Sequence, residues 1–143
     1  MCKIDNFRGS YFFLSNFYNA RIKINGTTYL NNEAAFQSFK LRNPLQRLTF
    51  SNLSASDAKS KGRHVTLRED WETVKLDVMY EVVKAKFTQN EELKIKFLDT
   101  GDSILEEGNT WRDTFWGTVN GRGQNNLGKI LMRVREELTN DSE

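Results

Sequence analysis

Arg21-Ile22-Lys23-Ile24-Asn25-Gly26-Thr27-Thr28-Tyr29-Leu30 decides the fold class of this chain. Arg21 to Ile24 alternates polar and apolar side chains, and Thr27 to Leu30 is rich in β-prone residues. Between them stands Asn25-Gly26. Both central residues of a type I′ turn need positive φ, so the stretch predicts an antiparallel hairpin. The chain beyond Leu30 reads mainly as helix. Asn31 or Asn32 can cap a helix that begins at Glu33 and runs to about Leu41, stopped by Pro44. Leu45 to Phe50 predicts a short helix. Ser54 can cap another over Ala55 to Lys61, closed by Gly62 at the C′ position.

Asp70 can cap a long helix from Trp71 to about Thr88, with Trp71, Val74, Val78, Met79 and Val82 on one apolar stripe. Gln89-Asn90 breaks that pattern. Glu91 to Leu98 gives one more helix, ended by Gly101, and Leu127 to Leu138 the last, with Ile130, Leu131, Val134 and Leu138 inward. Tyr11 to Leu14 reads as a short aromatic strand and Ile104-Leu105 as a short buried one. The tail, Thr139 to Glu143, is expected to fray. The class is therefore α+β and mostly helical: a single compact domain over 1–143, with a small antiparallel sheet packed by helices and no internal repeat.

The chain's 143 residues, 38% hydrophobic and 12% aromatic, are enough for a real core. With 21 Lys and Arg against 19 Asp and Glu, the net charge is only +2, which makes no strong case for bulk nucleic-acid binding. A substrate with one or two phosphates suits that balance better than a long duplex. Cys2 and His64 are the sole cysteine and histidine, so neither an internal disulfide nor a Cys/His zinc site can be built. No apolar run reaches membrane-spanning length and no signal-peptide core is present, so the expected compartment is cytoplasmic, without a membrane partner. Carboxylates are left as the chemical workhorses. No metal or cofactor is called for.

Ile104 to Gly117, ILEEGNTWRDTFWG, is dense in such groups. Glu106 is expected to face solvent and Glu107 a site, with Gly108 and Asn109 as turn residues that tolerate positive φ. Trp111 and Trp116 flank Arg112, Asp113, Thr114 and Phe115. Aromatic faces can stack on a flat ring, and a carboxylate beside them in a partly dry pocket can do acid–base work. The alternative is a loop plugging a core edge, with Asp113 pairing Arg112 or capping the next turn. On the first helix Glu33, Gln37 and Lys40 share one polar face, opposite Ala35, Phe36 and Phe39. That face is either solvated or aimed into a cleft, with Gln37 and Lys40 orienting a polar substrate. Val119 to Asn126 is a flexible glycine–asparagine segment, a plain connection or one whose backbone N–H groups approach a phosphate.

Several separated stretches together resemble one family. They are Leu14-Ser15-Asn16-Phe17, Asn32-Glu33-Ala34-Ala35-Phe36-Gln37, Lys86-Phe87-Thr88-Gln89-Asn90, Leu98-Asp99-Thr100-Gly101-Asp102, Glu107-Gly108-Asn109-Thr110-Trp111, Asp113-Thr114-Phe115-Trp116-Gly117, and Asn126-Leu127-Gly128 with Leu131-Met132 and Arg135. In this order and spacing they are similar to the NADAR, or YbiA-like, domain over nearly the whole chain. The resemblance implies cleavage of N-glycosidic bonds. One branch acts on phosphoribosylamino-pyrimidine intermediates of riboflavin synthesis; another removes ADP-ribose from guanine in nucleic acid. It also implies site positions at Glu33, Trp71, Asp113 and the Glu107–Trp116 loop, with Asn16, Lys86 and Arg63 matching further family positions. Relatives often carry histidine where this chain has Arg112. Arginine cannot take over proton transfer, though it can hold a phosphate or order Asp113.

Such a bond breaks through an oxocarbenium-like ribose, which calls for negative charge near C1′ and a proton for the leaving base. Glu33 is expected to activate water or stabilise the ribosyl cation, and Asp113 to assist by orienting a ribose hydroxyl or the base. Trp71 and Trp116 would stack on the base or wall the pocket; Lys40, Arg63, Lys86 and Arg112 would meet phosphate. Trp71 as plain core, Lys86 as a solvated helix end and Asn16 as an Asx turn are the structural alternatives. The expected substrate is ADP-ribosylated guanine in DNA or nucleotide, or else a phosphoribosylated pyrimidine. A non-catalytic module binding ADP-ribose and a partner-binding subunit are the alternatives from other classes. Monomer and dimer are both open.

Overall fold

The computed structural model describes residues 2–141. The elements in order are β1 (Lys3–Ile4), a 3-10 helix over Gly9–Leu14, β2 (Asn19–Ile24), β3 (Thr27–Asn31), α1 (Asn32–Ser38), α2 (Pro44–Leu48), α3 (Ala55–Gly62), α4 (Trp71–Gln89), α5 (Glu91–Leu98), β4 (Ile104–Leu105) and α6 (Asn126–Asp141). The chain is mostly helical with two small two-stranded sheets, the class the sequence predicts. It divides into two compact units, Asn16–Asn90 and Met1–Ser15 with Glu91–Glu143.

In the first unit the hairpin forms as read. β2 pairs antiparallel with β3, Ile24 facing Thr27, and Asn25 and Gly26 adopt φ of 52° and 83° at the turn. Asn31 closes the hairpin and opens α1: its Oδ1 accepts from the Ala34 N–H at 2.8 Å, and its Nδ2 donates to the Leu53 carbonyl at 3.1 Å. α1 packs against α3, α4 and both strands. The core joins Ile22, Tyr29, Ala34, Ala35, Phe50, Ala58, Val82 and Ala85. The break at Gln89-Asn90 does structural work. The Gln89 amide accepts from the Lys23 N–H at 2.8 Å and donates to the Lys23 carbonyl at 2.9 Å, supplying an edge of β2 with a partner.

Four local expectations fail here, each for a visible reason. α1 ends at Ser38, not Leu41, because its last N–H groups tighten to i→i−3 bonds, such as Lys40 N–H to Gln37 O at 3.1 Å. Pro44 starts α2 rather than stopping α1, its missing N–H falling where no helical partner exists, and Asn43 accepts from the Leu45 N–H at 2.8 Å. Asp70 makes no side-chain cap on α4, because its carboxylate is held by Arg68 at 2.6 Å and Arg42 at 3.1 Å. Gly62 is the last residue of α3 rather than a left-handed C′ cap.

In the second unit β1 and β4 pair parallel, Ile4 beside Leu105, and α6 packs on α5 and β4. Ile130, Leu131, Val134 and Leu138 are buried along α6 as expected, together with Leu127, Gly128 and Arg135. Arg135 is tied down by bonds to Thr100 Oγ1 at 2.9 Å and the Ser103 carbonyl at 2.7 Å. Gly101, at φ 64°, follows α5. The aromatic strand expected at Tyr11 to Leu14 is instead the 3-10 helix. Its exposed and buried residues come in pairs, Tyr11 and Phe12 out, Phe13 and Leu14 in, where a strand would alternate. Thr139 to Asp141, expected to fray, continue α6; Ser142 and Glu143 lie outside the described residues.

Candidate functional site

The α1 face carries a charged cluster in dry surroundings. Glu33 and Gln37, one turn apart, are 8% and 6% exposed, and Gln37 Nε2 donates to Glu33 Oε2 at 2.7 Å. The face is therefore buried, not solvated. Lys40 completes it, half-buried, with Nζ donating to the Gly62 carbonyl at 3.2 Å. Burial pushes the Lys40 ammonium below its usual range, the Glu33 charge opposes that, and the charge of exposed Arg63 adds to it. Glu33, Gln37, Lys40 and Arg63 thus form one electrostatic group built from α1, the turn that follows it and the residue that ends α3.

Trp71 is buried and set against Phe36, with ring centroids 5.2 Å apart, so its indole is a wall of the core. Asn16 is also internal. Its backbone carbonyl accepts the Glu33 N–H at 3.0 Å, and its Nδ2 lies 3.4 Å from Met79 Sδ. That bond to Glu33 gives Asn16 a place in the cluster's scaffold.

Lys86 is not a solvated helix end. It is 1% exposed on α4, its Nζ 5.5 Å from the Tyr18 ring centroid, and burial lowers its pKa to about 7. An amine at that value exchanges protons near neutrality, where an ordinary lysine stays charged. The surroundings of Lys86 suit proton chemistry better than the phosphate contact expected of it. Nothing in residue spacing signals this, because burial of α4's second half depends on tertiary packing.

The Glu107–Trp116 loop is organised differently. Asn109, 7% exposed, is its hub: Oδ1 accepts from the Trp111 N–H at 3.2 Å and the Asp113 N–H at 3.1 Å, while Nδ2 donates to the Asp113 carbonyl at 2.9 Å. Asp113 then caps the next turn, Oδ1 accepting from the Phe115 N–H at 3.2 Å and the Trp116 N–H at 2.9 Å. Trp116 is half-buried and edge-on to Phe115 at 4.8 Å, whereas Trp111 is 51% exposed beside exposed Arg112.

Positive φ in this loop falls on Arg112, at 67°, and not on Gly108 or Asn109 as expected. Asn109's amide takes the place of backbone turn geometry, which is why its own φ stays ordinary.

Glu106 does not face solvent. Its carboxylate accepts from the Thr118 hydroxyl and pairs with Lys3 at 2.8 Å, both of which hold it below the usual carboxylate range, the Lys3 bond first. Glu107 is half-buried, its Oε2 3.4 Å from Asn109 Nδ2. The glycine–asparagine segment makes no cradle for a phosphate from its last N–H groups. Those of Gln124, Asn126 and Leu127 donate to the carbonyls of Thr114, Phe115 and Trp116 at 2.7, 3.2 and 2.9 Å. Asn125, unassigned in the sequence, braces the loop's start by accepting from the Glu107 N–H at 2.9 Å and donating to the Leu105 carbonyl at 2.9 Å.

Among the described residues no group of three or more His, Cys, Asp or Glu converges on a metal-sized space, and no helix is long and apolar enough to cross a membrane.

Comparison with known proteins shows the family. The family model described as the NADAR domain matches residues 5–139. The riboflavin biosynthesis protein VVA0006 of Vibrio vulnificus is 39% identical over 132 residues, covering 88% of this chain and 35% of that protein, so the chain spans about a third of this relative. The N-glycosidase YbiA of Escherichia coli is 35% identical over 130 residues, 87% of this chain and 79% of that one. The solution structure of the E. coli YbiA protein superposes with a TM-score of 0.85 at 34% identity, over 98% of this chain and 85% of that one. The chain belongs to the NADAR domain family, with the fold of its YbiA members.

Proposed function

We propose that the protein is an N-glycosidase that removes ADP-ribose from guanine in DNA or in a nucleotide, with Glu33 as its central carboxylate. Homology to relatives named N-glycosidases supports the reaction class. The observation that carries the residue assignment is the 2.7 Å bond from Gln37 to a Glu33 carboxylate that is 8% exposed. A carboxylate desolvated and oriented in this way stabilises a developing positive charge far more strongly than one in water.

In the reaction the C1′–N bond breaks and its electron pair leaves with the base, which takes up a proton. Water adds to C1′ and loses a proton, so substrate and one water give ADP-ribose and guanine. Glu33 stabilises the cationic ribose or accepts the water's proton. Lys86, with its pKa lowered to about 7, is suited to supplying the base's proton. Lys40 and Arg63 supply positive charge for phosphate. Asp113, with Oδ1 accepting from two backbone N–H groups, serves by holding its loop. Exposed Trp111 beside Arg112 offers a stacking face and a cation, which suits a nucleic acid better than a small free pyrimidine.

A second reading is favoured by a specific relative. The Vibrio protein, 39% identical, is named for riboflavin biosynthesis, which makes a phosphoribosylamino-pyrimidine the alternative substrate. The purified chain incubated separately with each substrate, followed by liquid chromatography and mass detection, decides between them. Release of ADP-ribose from modified DNA supports the first reading. Release of ribose phosphate from the pyrimidine alone replaces it with the second, and tight binding of ADP-ribose without turnover of either would sink both.

A further inference from the structure

Gln37 was expected to touch substrate, but its surroundings assign it another task. Its Nε2 is given to Glu33 Oε2 at 2.7 Å, while its Oε1 is buried with no hydrogen-bond partner among the described residues. Reversing the amide would set oxygen against the carboxylate oxygen, so an ionised Glu33 selects the orientation with the donor inward. A buried acceptor left unpaired costs free energy, and the bond to a charged group is what offsets it.

Space for this arrangement comes from Gly62. A Cβ on Gly62 would lie 1.9 Å from Gln37 Oε1 and 2.5 Å from Gln37 Cδ. Gly62 has no left-handed φ, so backbone freedom is not the reason for glycine there. The absent side chain is the slot into which the Gln37 amide fits. The Gly62 carbonyl also holds Lys40 Nζ, so one residue of α3 sets the positions of two members of the α1 cluster.

We propose that Gly62 and Gln37 form a positioning pair: the Gly62 slot wedges the Gln37 amide, and the wedged amide fixes the Glu33 carboxylate. Gln37 is then a positioning residue that does not contact substrate. The inference rests on the assignment of Glu33 under the proposed function.

The test is a double-mutant cycle on the full chain with Gln37→Leu, Gly62→Ala and both together, each checked for folding by circular dichroism. Removing a charge-assisted bond predicts a fall in kcat of about 10- to 100-fold for Gln37→Leu with KM within about twofold of wild type. Gly62→Ala, which removes no group that could touch a substrate, is expected to give a similar fall. The double variant is expected to be no worse than the worse single one. A raised KM with kcat intact in Gln37→Leu would make Gln37 a substrate contact, and a harmless Gly62→Ala would overturn the slot.

A readout that needs no turnover separates this inference from the reading it rests on. In protein labelled with carbon-13 at glutamate side-chain carboxyls, the Glu33 resonance is expected to move in the same direction in both single variants. Its staying put in either would overturn the pair. Movement without activity in wild type on any substrate would leave the pair standing and remove the proposed function. If Gly62→Ala fails to fold, Gly62→Ala with Gln37→Ala, which clears the clash, is expected to fold; failure of that protein also overturns the slot.

Discussion

Glu33 and Asp113 are the two carboxylates that the sequence offers for the reaction, yet the chain treats them in opposite ways. Glu33 rides on α1, is nearly buried, and receives a side-chain bond from Gln37 one turn on. Asp113 sits in an irregular loop, half-buried, with its Oδ1 accepting from two backbone N–H groups. A helix satisfies its own backbone, so its side chains remain available for chemistry. A loop must find partners for its N–H and C=O groups elsewhere, and here Asn109, Asp113 and Asn125 provide them. Carboxylates on irregular backbone are consumed by structure more readily than carboxylates on helices.

The largest effect that would sharpen this contrast is on activity. Glu33→Gln is expected to lower kcat/KM at least about 1,000-fold, the scale of a lost electrostatic stabiliser, with circular dichroism unchanged. Next comes the buried ammonium of the Glu33 unit. Lys86 has its folded-state pKa near 7, below its ordinary value, so between about pH 7 and pH 10 the unfolded chain binds the proton that the folded chain lacks. Stability is therefore expected to rise with pH through that window, and Lys86→Met to flatten the rise and to be the more stable protein at pH 7. Urea melts of both proteins at several pH values check it. A wild-type curve that falls from pH 7 to pH 9 would contradict the buried amine.

For the loop the effects are on stability and are smaller. Asn109→Ala is expected to cost about 2–3 kcal/mol, since a buried hub loses two accepted N–H groups and one close donation. Asp113→Ala is expected to cost about 1–2 kcal/mol as a lost cap, and Asp113→Asn, which keeps an acceptor oxygen, well under that. Chemical denaturation measures each. An Asp113→Asn protein that unfolds as readily as Asp113→Ala would mean that its charge matters more than its geometry.

Legibility in the sequence divides along the same line. The hairpin was readable because Asn25-Gly26 is a local signal with one physical meaning, and Asn31 and Ser54 were readable as caps because capping is local too. Local chemistry misled where a distant partner competed for the same atoms: Asp70 was drawn to Arg68 and Arg42, and Glu106 to Lys3 and Thr118. Gly62 looked like a helix terminator, and only the position of Gln37 shows it to be a slot. The polar face of α1 was readable as a face, but its burial was not, since periodicity fixes which side chains align and not what covers them. Lys86 is the extreme case. A lysine that sequence statistics place in water is 1% exposed because α4's second half is enclosed by tertiary packing.

The most direct test of the central claim is a side-by-side rate measurement of wild type, Glu33→Gln and Asp113→Asn on DNA carrying ADP-ribosylated guanine, scored by released ADP-ribose. The account predicts no measurable release from Glu33→Gln and a rate within about tenfold of wild type from Asp113→Asn, whose loop keeps its hydrogen-bond acceptor. The reverse pattern, an active Glu33→Gln and an inactive, folded Asp113→Asn, would contradict it.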